Sequence, residues 1–63
     1  MTIYTYEKAE QPNLDTYNDA IIISDIASAY LYLSWSAHDC ILRVIFSREL
    51  TTEEKATLDW IIV

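Results

Sequence analysis

The chain has no glycine, one proline, one cysteine and one histidine among its 63 residues. Without glycine, the backbone lacks the freedom that nucleotide-binding loops use to approach a phosphate closely, which argues against such a site. A single cysteine cannot form an internal disulfide. One cysteine and one histidine also fall short of the four protein ligands that a structural zinc site normally takes. Two common ways of stabilising a small domain are therefore missing.

Long apolar runs are also absent. Runs such as Ala20–Ile23 and Trp60–Val63 extend over four residues, whereas a membrane-spanning helix needs about 20. The N-terminus shows no basic segment followed by an apolar one, so we expect no secretory signal peptide. An unpaired cysteine is typical of a reducing compartment. The sequence thus predicts an intracellular protein that does not enter a membrane.

Basic residues are few. Four Lys and Arg stand against ten Asp and Glu, for a net charge of −6. Because nucleic-acid binding requires Lys and Arg to neutralise phosphates, we expect no direct contact with DNA or RNA. The excess of acids is concentrated in residues 1–40. It can serve solubility alone, or it can form a face that meets a basic protein or imitates nucleic acid.

Size and apolar content point to association. A chain of 63 residues forms one domain, residues 1–63. The core of so small a domain supplies roughly 3–5 kcal/mol. Yet 52% of the residues are hydrophobic, a high load for a small body. We therefore expect part of the apolar surface to face a partner protein or another copy of the chain.

The first half of the chain predicts a strand, a loop and an ambiguous stretch. Residues 2–7 alternate and are rich in strand formers. Residues 8–19 carry the proline and several Asn and Asp, which indicates a loop. In residues 20–33, apolar side chains recur at helical spacing, with Asp19 as a candidate cap. Three consecutive isoleucines favour a strand instead. We expect a short strand at 20–24, then a turn or helical turn near 25–29.

The second half predicts a hairpin and a helix. Two alternating runs, residues 30–37 and 40–47, are typical of antiparallel strands joined by a turn. In residues 50–63, Thr51 and Glu54 form a capping box, and Leu58, Ile61 and Ile62 an apolar stripe. The fold class is α+β: a small antiparallel sheet, made of this hairpin and the N-terminal strand, with one C-terminal helix.

One face of the predicted sheet carries more apolar surface than a solitary domain needs. The row expected beneath the helix is Leu31, Leu33, Trp35, Leu42, Val44 and Phe46. Antiparallel sheets usually expose polar residues on the other face. Here that face is aromatic and aliphatic, which marks an interface. The alternative is that the N-terminal segment covers it. The predicted interface residues are Tyr30, Tyr32, Ile41, Arg43, Ile45 and Trp60.

The segment "WSAHDC", residues 35–40, contains the only histidine and the only cysteine. His38 and Cys40 are close enough in sequence to suggest a nucleophilic pair, but such pairs need a cleft and oxyanion donors around them. We interpret the segment as a hairpin tip, in which Asp39 caps its own backbone and Cys40 begins the inward row. We expect no enzymatic activity, no cofactor, no metal and no small-molecule substrate.

The tail "VIFSRELTTEEKATLDWIIV", residues 44–63, resembles a pattern of small phage-encoded proteins, in which a strand ending in Phe leads into a capped helix. The matching residues are Phe46, Leu50, Thr51, Glu54, Lys55, Leu58, Asp59, Ile61 and Val63. The resemblance implies a virion-associated or accessory phage protein, located in the host cytoplasm or in the virion. We therefore expect a non-enzymatic assembly protein, with an acidic inhibitor of a host protein as the alternative.

Overall fold

The computed structural model, which describes residues 1–63, contains three strands and two α-helices in the order β-α-β-β-α. The elements are β1 (Thr2–Glu7), α1 (Leu14–Ile22), β2 (Tyr30–Ser36), β3 (Ile41–Phe46) and α2 (Thr52–Ile62), with one 3₁₀ turn at Ala27–Ala29. The α+β class, the N-terminal strand, the hairpin and the C-terminal helix are confirmed. A second helix, α1, was not predicted. Neither helix has the length and apolar character needed to cross a bilayer.

The last strand of the sheet in sequence lies at its centre. The strand order is β1-β3-β2, and both pairings are antiparallel. Ile45 of β3 therefore has Ile3 of β1 on one side and Tyr32 of β2 on the other. Because β3 is hydrogen-bonded on both edges, its side chains alternate regularly between the two faces of the sheet.

The hydrophobic core lies on one face of the sheet only. Leu42, Val44 and Phe46 point to this face and are fully buried. Both helices cover it, because Ile21 of α1 and Leu58 of α2 belong to the same core cluster. No buried polar side chain is present. Hydrophobic burial on this face is therefore the main source of stability for the domain.

Helix α2 begins at the capping box that the sequence predicts. The Thr51 hydroxyl accepts a hydrogen bond from the Glu54 amide at 3.2 Å, and the Glu54 carboxylate accepts one from the Thr51 amide at 2.9 Å. Arg48 binds the same carboxylate with two hydrogen bonds of 2.8 Å. These bonds hold the pKa of Glu54 down at about 2.

The predictions for residues 8–24 need correction. The loop expected over residues 8–19 ends at Asn13, whose side chain caps α1 by accepting a bond from the Thr16 amide at 3.2 Å. The strand expected at 20–24 does not form, because residues 20–22 complete α1. Packing decides against the strand: Ile21 is fully buried in the core, and the Tyr17 hydroxyl donates to the Ile62 carbonyl at 3.1 Å.

A bulge in β2 changes which side chains face the helices. Tyr30 is paired with Phe46 and Tyr32 with Ile45, so that Leu31 is an extra residue. The bulge reverses the alternation: Tyr30 packs edge-on against Phe46 at 5.8 Å, and Leu31 is half exposed. The prediction that Leu31 points inward and Tyr30 outward is therefore wrong. Leu33 and Trp35, beyond the bulge, pack against the core as expected.

Candidate interaction surface

No helix covers the second face of the sheet, which we call the open face. Its apolar centre consists of Ile3, Ile45 and Tyr32, one residue from each strand in direct register. Ile45 is only 3% exposed although it lies outside the core cluster. Ile3 and Tyr32 flank it and are 50% and 54% exposed. The three residues form a continuous apolar patch that is half buried within the chain itself.

The hairpin end of the open face is more polar. Arg43 lies between Thr5 and Ser34 in the sheet register. Its guanidinium donates to Asp39 at 2.8 Å, and this bond holds the pKa of the Asp39 carboxyl below its usual value. Ile41, at the end of the strand, is partly buried. The face therefore combines an apolar centre with a polar end anchored by an ion pair, a distribution found in protein interfaces.

The structure brings together four of the six predicted interface residues. Tyr32, Ile41, Arg43 and Ile45 lie on the open face. Tyr30 does not: it lies on the helix side, where its hydroxyl donates to the Asn18 side chain at 2.7 Å, and burial raises its pKa. Trp60 is also elsewhere.

Trp60 lies on the outer side of α2, on the other side of the sheet from the open face. It is 85% exposed, and Val63 at the end of the same helix is 94% exposed. A tryptophan so fully exposed is uncommon in a small domain, since indole rings are usually well buried. It marks a second apolar surface, separate from the open face.

Ile3 belongs to the open face but was not among the predicted interface residues. The alternation of residues 2–7 alone does not tell which of its two sides faces the helices. The one indication in the sequence is the type of side chain on each side of the strand: Tyr4 and Tyr6 lie on one side, and Ile3 and Thr5 on the other. Both tyrosine hydroxyls turn out to be bound on the α2 side, by the Leu50 amide and the Asp59 carboxylate.

The hairpin tip, residues 37–40, does not bring His38 and Cys40 into a hydrogen bond with each other. His38 is exposed. Asp39 accepts a bond from the Ile41 amide at 3.2 Å, which confirms its predicted capping role. Cys40 does not begin the inward row as expected. It has a φ of 55°, the left-handed conformation that ends the turn and that glycine or asparagine adopts more readily.

A polar network joins β1 to α2 on the helix side. The Tyr6 hydroxyl and the Lys55 ammonium both donate to Asp59, each at 2.6 Å. Lys55 also lies over the rings of Tyr4 and Tyr6, at 5.5 and 5.4 Å from their centroids. Lys55 and Tyr6 lower the pKa of Asp59, while burial and the Asp59 hydrogen bond raise that of Tyr6. The network fixes α2 along the strand.

No group of three or more His, Cys, Asp and Glu side chains is positioned to hold a metal ion. Comparisons with protein-family models, with curated proteins and with solved structures gave no match. The indications of function therefore come from the surfaces of this chain.

Proposed function

We propose that this protein is a non-enzymatic interaction protein that assembles with a larger protein, or with further copies of itself, through the open face of its sheet. The observation that carries the proposal is the patch of Ile3, Ile45 and Tyr32. It already buries Ile45 almost completely without a helix above it. A partner that covers the patch needs to remove water only from the two half-exposed neighbours, so the surface is largely pre-organised.

The composition of the open face supports docking of a protein. Tyrosine and arginine are the side chains that contribute most often to interface energy, and Tyr32 and Arg43 both lie here. The Arg43–Asp39 ion pair at the polar end can orient a partner without contributing much affinity. We further propose that the partner belongs to a phage particle or acts in the infected cell. This part of the proposal rests only on the resemblance of residues 44–63.

Site-specific photo-crosslinking tests the sheet-face proposal. A photoreactive phenylalanine replaces Tyr32, and a matched control carries it at Glu10, which is exposed in the loop between β1 and α1. In the cells that produce the protein, we expect an adduct of discrete mass from position 32 and a much weaker one from position 10. Equal yields from the two positions would contradict the proposal.

A second candidate function is inhibition of a basic protein through carboxylates. Ion pairs occupy only Asp39, Glu54 and Asp59. The exposed acids that form no ion pair in the first part of the chain are Glu7, Glu10, Asp15, Asp19 and Asp25. These carboxylates would attract a cationic protein over a long range, and the binding of that protein would weaken steeply with salt, since salt screens exposed charges.

A further inference from the structure

The outer edge of β1 is an unprotected strand edge. The Lys8 amide donates to the Cys40 carbonyl at 2.9 Å, which continues the register in which Glu7 is paired with Ile41. In an antiparallel ladder, hydrogen-bonded residues alternate with residues whose backbone groups point away. The N–H and C=O groups of Ile3, Thr5 and Glu7 therefore point out of the sheet, and no hydrogen bond within the chain uses them.

The two edges of the sheet differ in protection. Strand β2 carries the bulge at Leu31, a device that blocks pairing with another strand. Strand β1 is regular over six residues, contains no proline and has one charged residue, Glu7, at its end. The free N–H and C=O groups of such an edge are best matched by the extended backbone of another strand.

Helix α2 extends this edge into a broader surface. It runs alongside β1, as the bonds from the Leu50 amide to Tyr4 and from Tyr6 to Asp59 show. Ala56 and Asp59 border both the groove beside Tyr4 and the shallow depression beneath the exposed Trp60 and Val63. The exposed apolar side of α2 is thus continuous with the free edge of β1.

We propose that the occupant of this edge is β1 of a second copy, paired antiparallel about a two-fold axis at Thr5. Among the three outward-pointing residues, Thr5 is central, so this register places Thr5 opposite Thr5 and Ile3 opposite Glu7 of the second copy. In this register, no residue of β1 lies opposite a residue of the same charge in the second copy. On the helix side, Tyr4 lies opposite Tyr6 of the second copy, and the two α2 helices come alongside each other with opposite directions.

The distribution of charge favours a second copy at this edge. The chain has a net charge of −6, so two copies repel each other across most of their surfaces. The charges along the β1 edge include Glu7 and Lys8 at the end of the strand, Glu49 beside Tyr4, and the pair of Lys55 with Asp59. The two positive charges offset two of these three negative charges, so two identical acidic chains meet less repulsion at this edge than their net charge implies.

Size-exclusion chromatography with light scattering on the purified chain tests this inference. We expect the wild type to have the mass of two chains. The substitution Thr5→Lys places two positive charges on the axis, and we expect a monomer at a concentration where the wild type is fully dimeric. The matched variant Thr5→Val keeps the backbone groups and adds no charge, and it remains dimeric. Circular dichroism checks that each variant is folded.

A mixture of charge variants tests the register itself. Thr5→Glu alone is expected to be monomeric, and an equimolar mixture of Thr5→Lys with Thr5→Glu is expected to regain the mass of a dimer. A monomeric wild type, a dimeric Thr5→Lys variant or a mixture that stays monomeric would each overturn the proposal. A monomeric wild type would also exclude self-assembly through the open face, whereas docking of a larger protein there is tested separately by the photo-crosslink from position 32, which lies on β2 at the other edge.

Discussion

Alternate residues of β3 lie in two different environments. Leu42, Val44 and Phe46 are fully buried beneath two helices, whereas Ile45, which lies on the open face between Ile3 and Tyr32, is 3% exposed. The comparison shows that burial has two sources in this domain. On the helix side, α1 and α2 pack against the sheet. On the open face, the sheet carries an apolar cluster that no helix covers, and a partner protein can cover it.

The largest expected difference between the two faces concerns Phe46. This residue is fully buried and contacts the rings of Tyr4 and Tyr30 edge-on. Replacing a buried phenylalanine with alanine costs about 3–5 kcal/mol, which is comparable with all the stability that so small a core supplies. We expect Phe46→Ala to abolish the cooperative unfolding transition in urea. The control Ile3→Ala, on the open face, should retain it.

Two tyrosines of the same strand give a closely matched comparison. Tyr30 on the helix side packs against Phe46 and is bound to Asn18, whereas Tyr32 is 54% exposed on the open face. We expect Tyr30→Ser to lower the free energy of unfolding by about 2–3 kcal/mol. Tyr32→Ser should lower it by about 1 kcal/mol or less. Equal losses in urea denaturation would show that Tyr32 has a structural role comparable with that of Tyr30.

The smallest expected effect is a loss of folding stability in acid, which arises at the N-terminus of α2. Arg48 and the Thr51 amide lower the pKa of Glu54 from 4.5 to about 2. A carboxyl with a lowered pKa in the folded state stabilises the fold above its unfolded pKa, and this stabilisation disappears as the pH falls through the folded value. Wild type should therefore lose more stability than Glu54→Gln between pH 4.5 and 2. The difference is small, because solvent screens this ion pair.

That last comparison needs parallel unfolding curves. Urea denaturation of wild type and Glu54→Gln at several pH values gives the difference directly, because the other carboxyls titrate alike in both proteins. Identical pH dependence would mean that the bonds from Arg48 and Thr51 do not stabilise the folded state.

Local patterns predicted those parts of the fold that local chemistry determines. The capping box at Thr51, the alternation of β3 and the Asp39 turn each depend on neighbouring residues, and each is confirmed. Helix α1 was missed because its stability comes from distant contacts. Ile21 packs into the core, and the Tyr17 hydroxyl bonds to the end of α2. These contacts override the strand preference of three consecutive isoleucines.

The open face was predicted in part, and one residue explains the error. Strict alternation assigned Tyr30 to the same face as Tyr32, and the bulge at Leu31 breaks that alternation. A single extra residue moves every side chain before it to the other side of the strand. No local pattern marks a bulge in a strand without glycine, so the sequence could not reveal it. On β3, which has no bulge, Ile41, Arg43 and Ile45 lie where the alternation predicts them.

The salt dependence of the photo-crosslink from position 32, measured in a lysate of the producing cells, tests the central claim most directly. If the open face docks a partner through the patch of Ile3, Ile45 and Tyr32, the yield of the adduct should be the same at low and at high salt, because apolar burial is not screened. A yield that falls steeply as salt rises would contradict the account, and would favour binding through the exposed carboxylates instead.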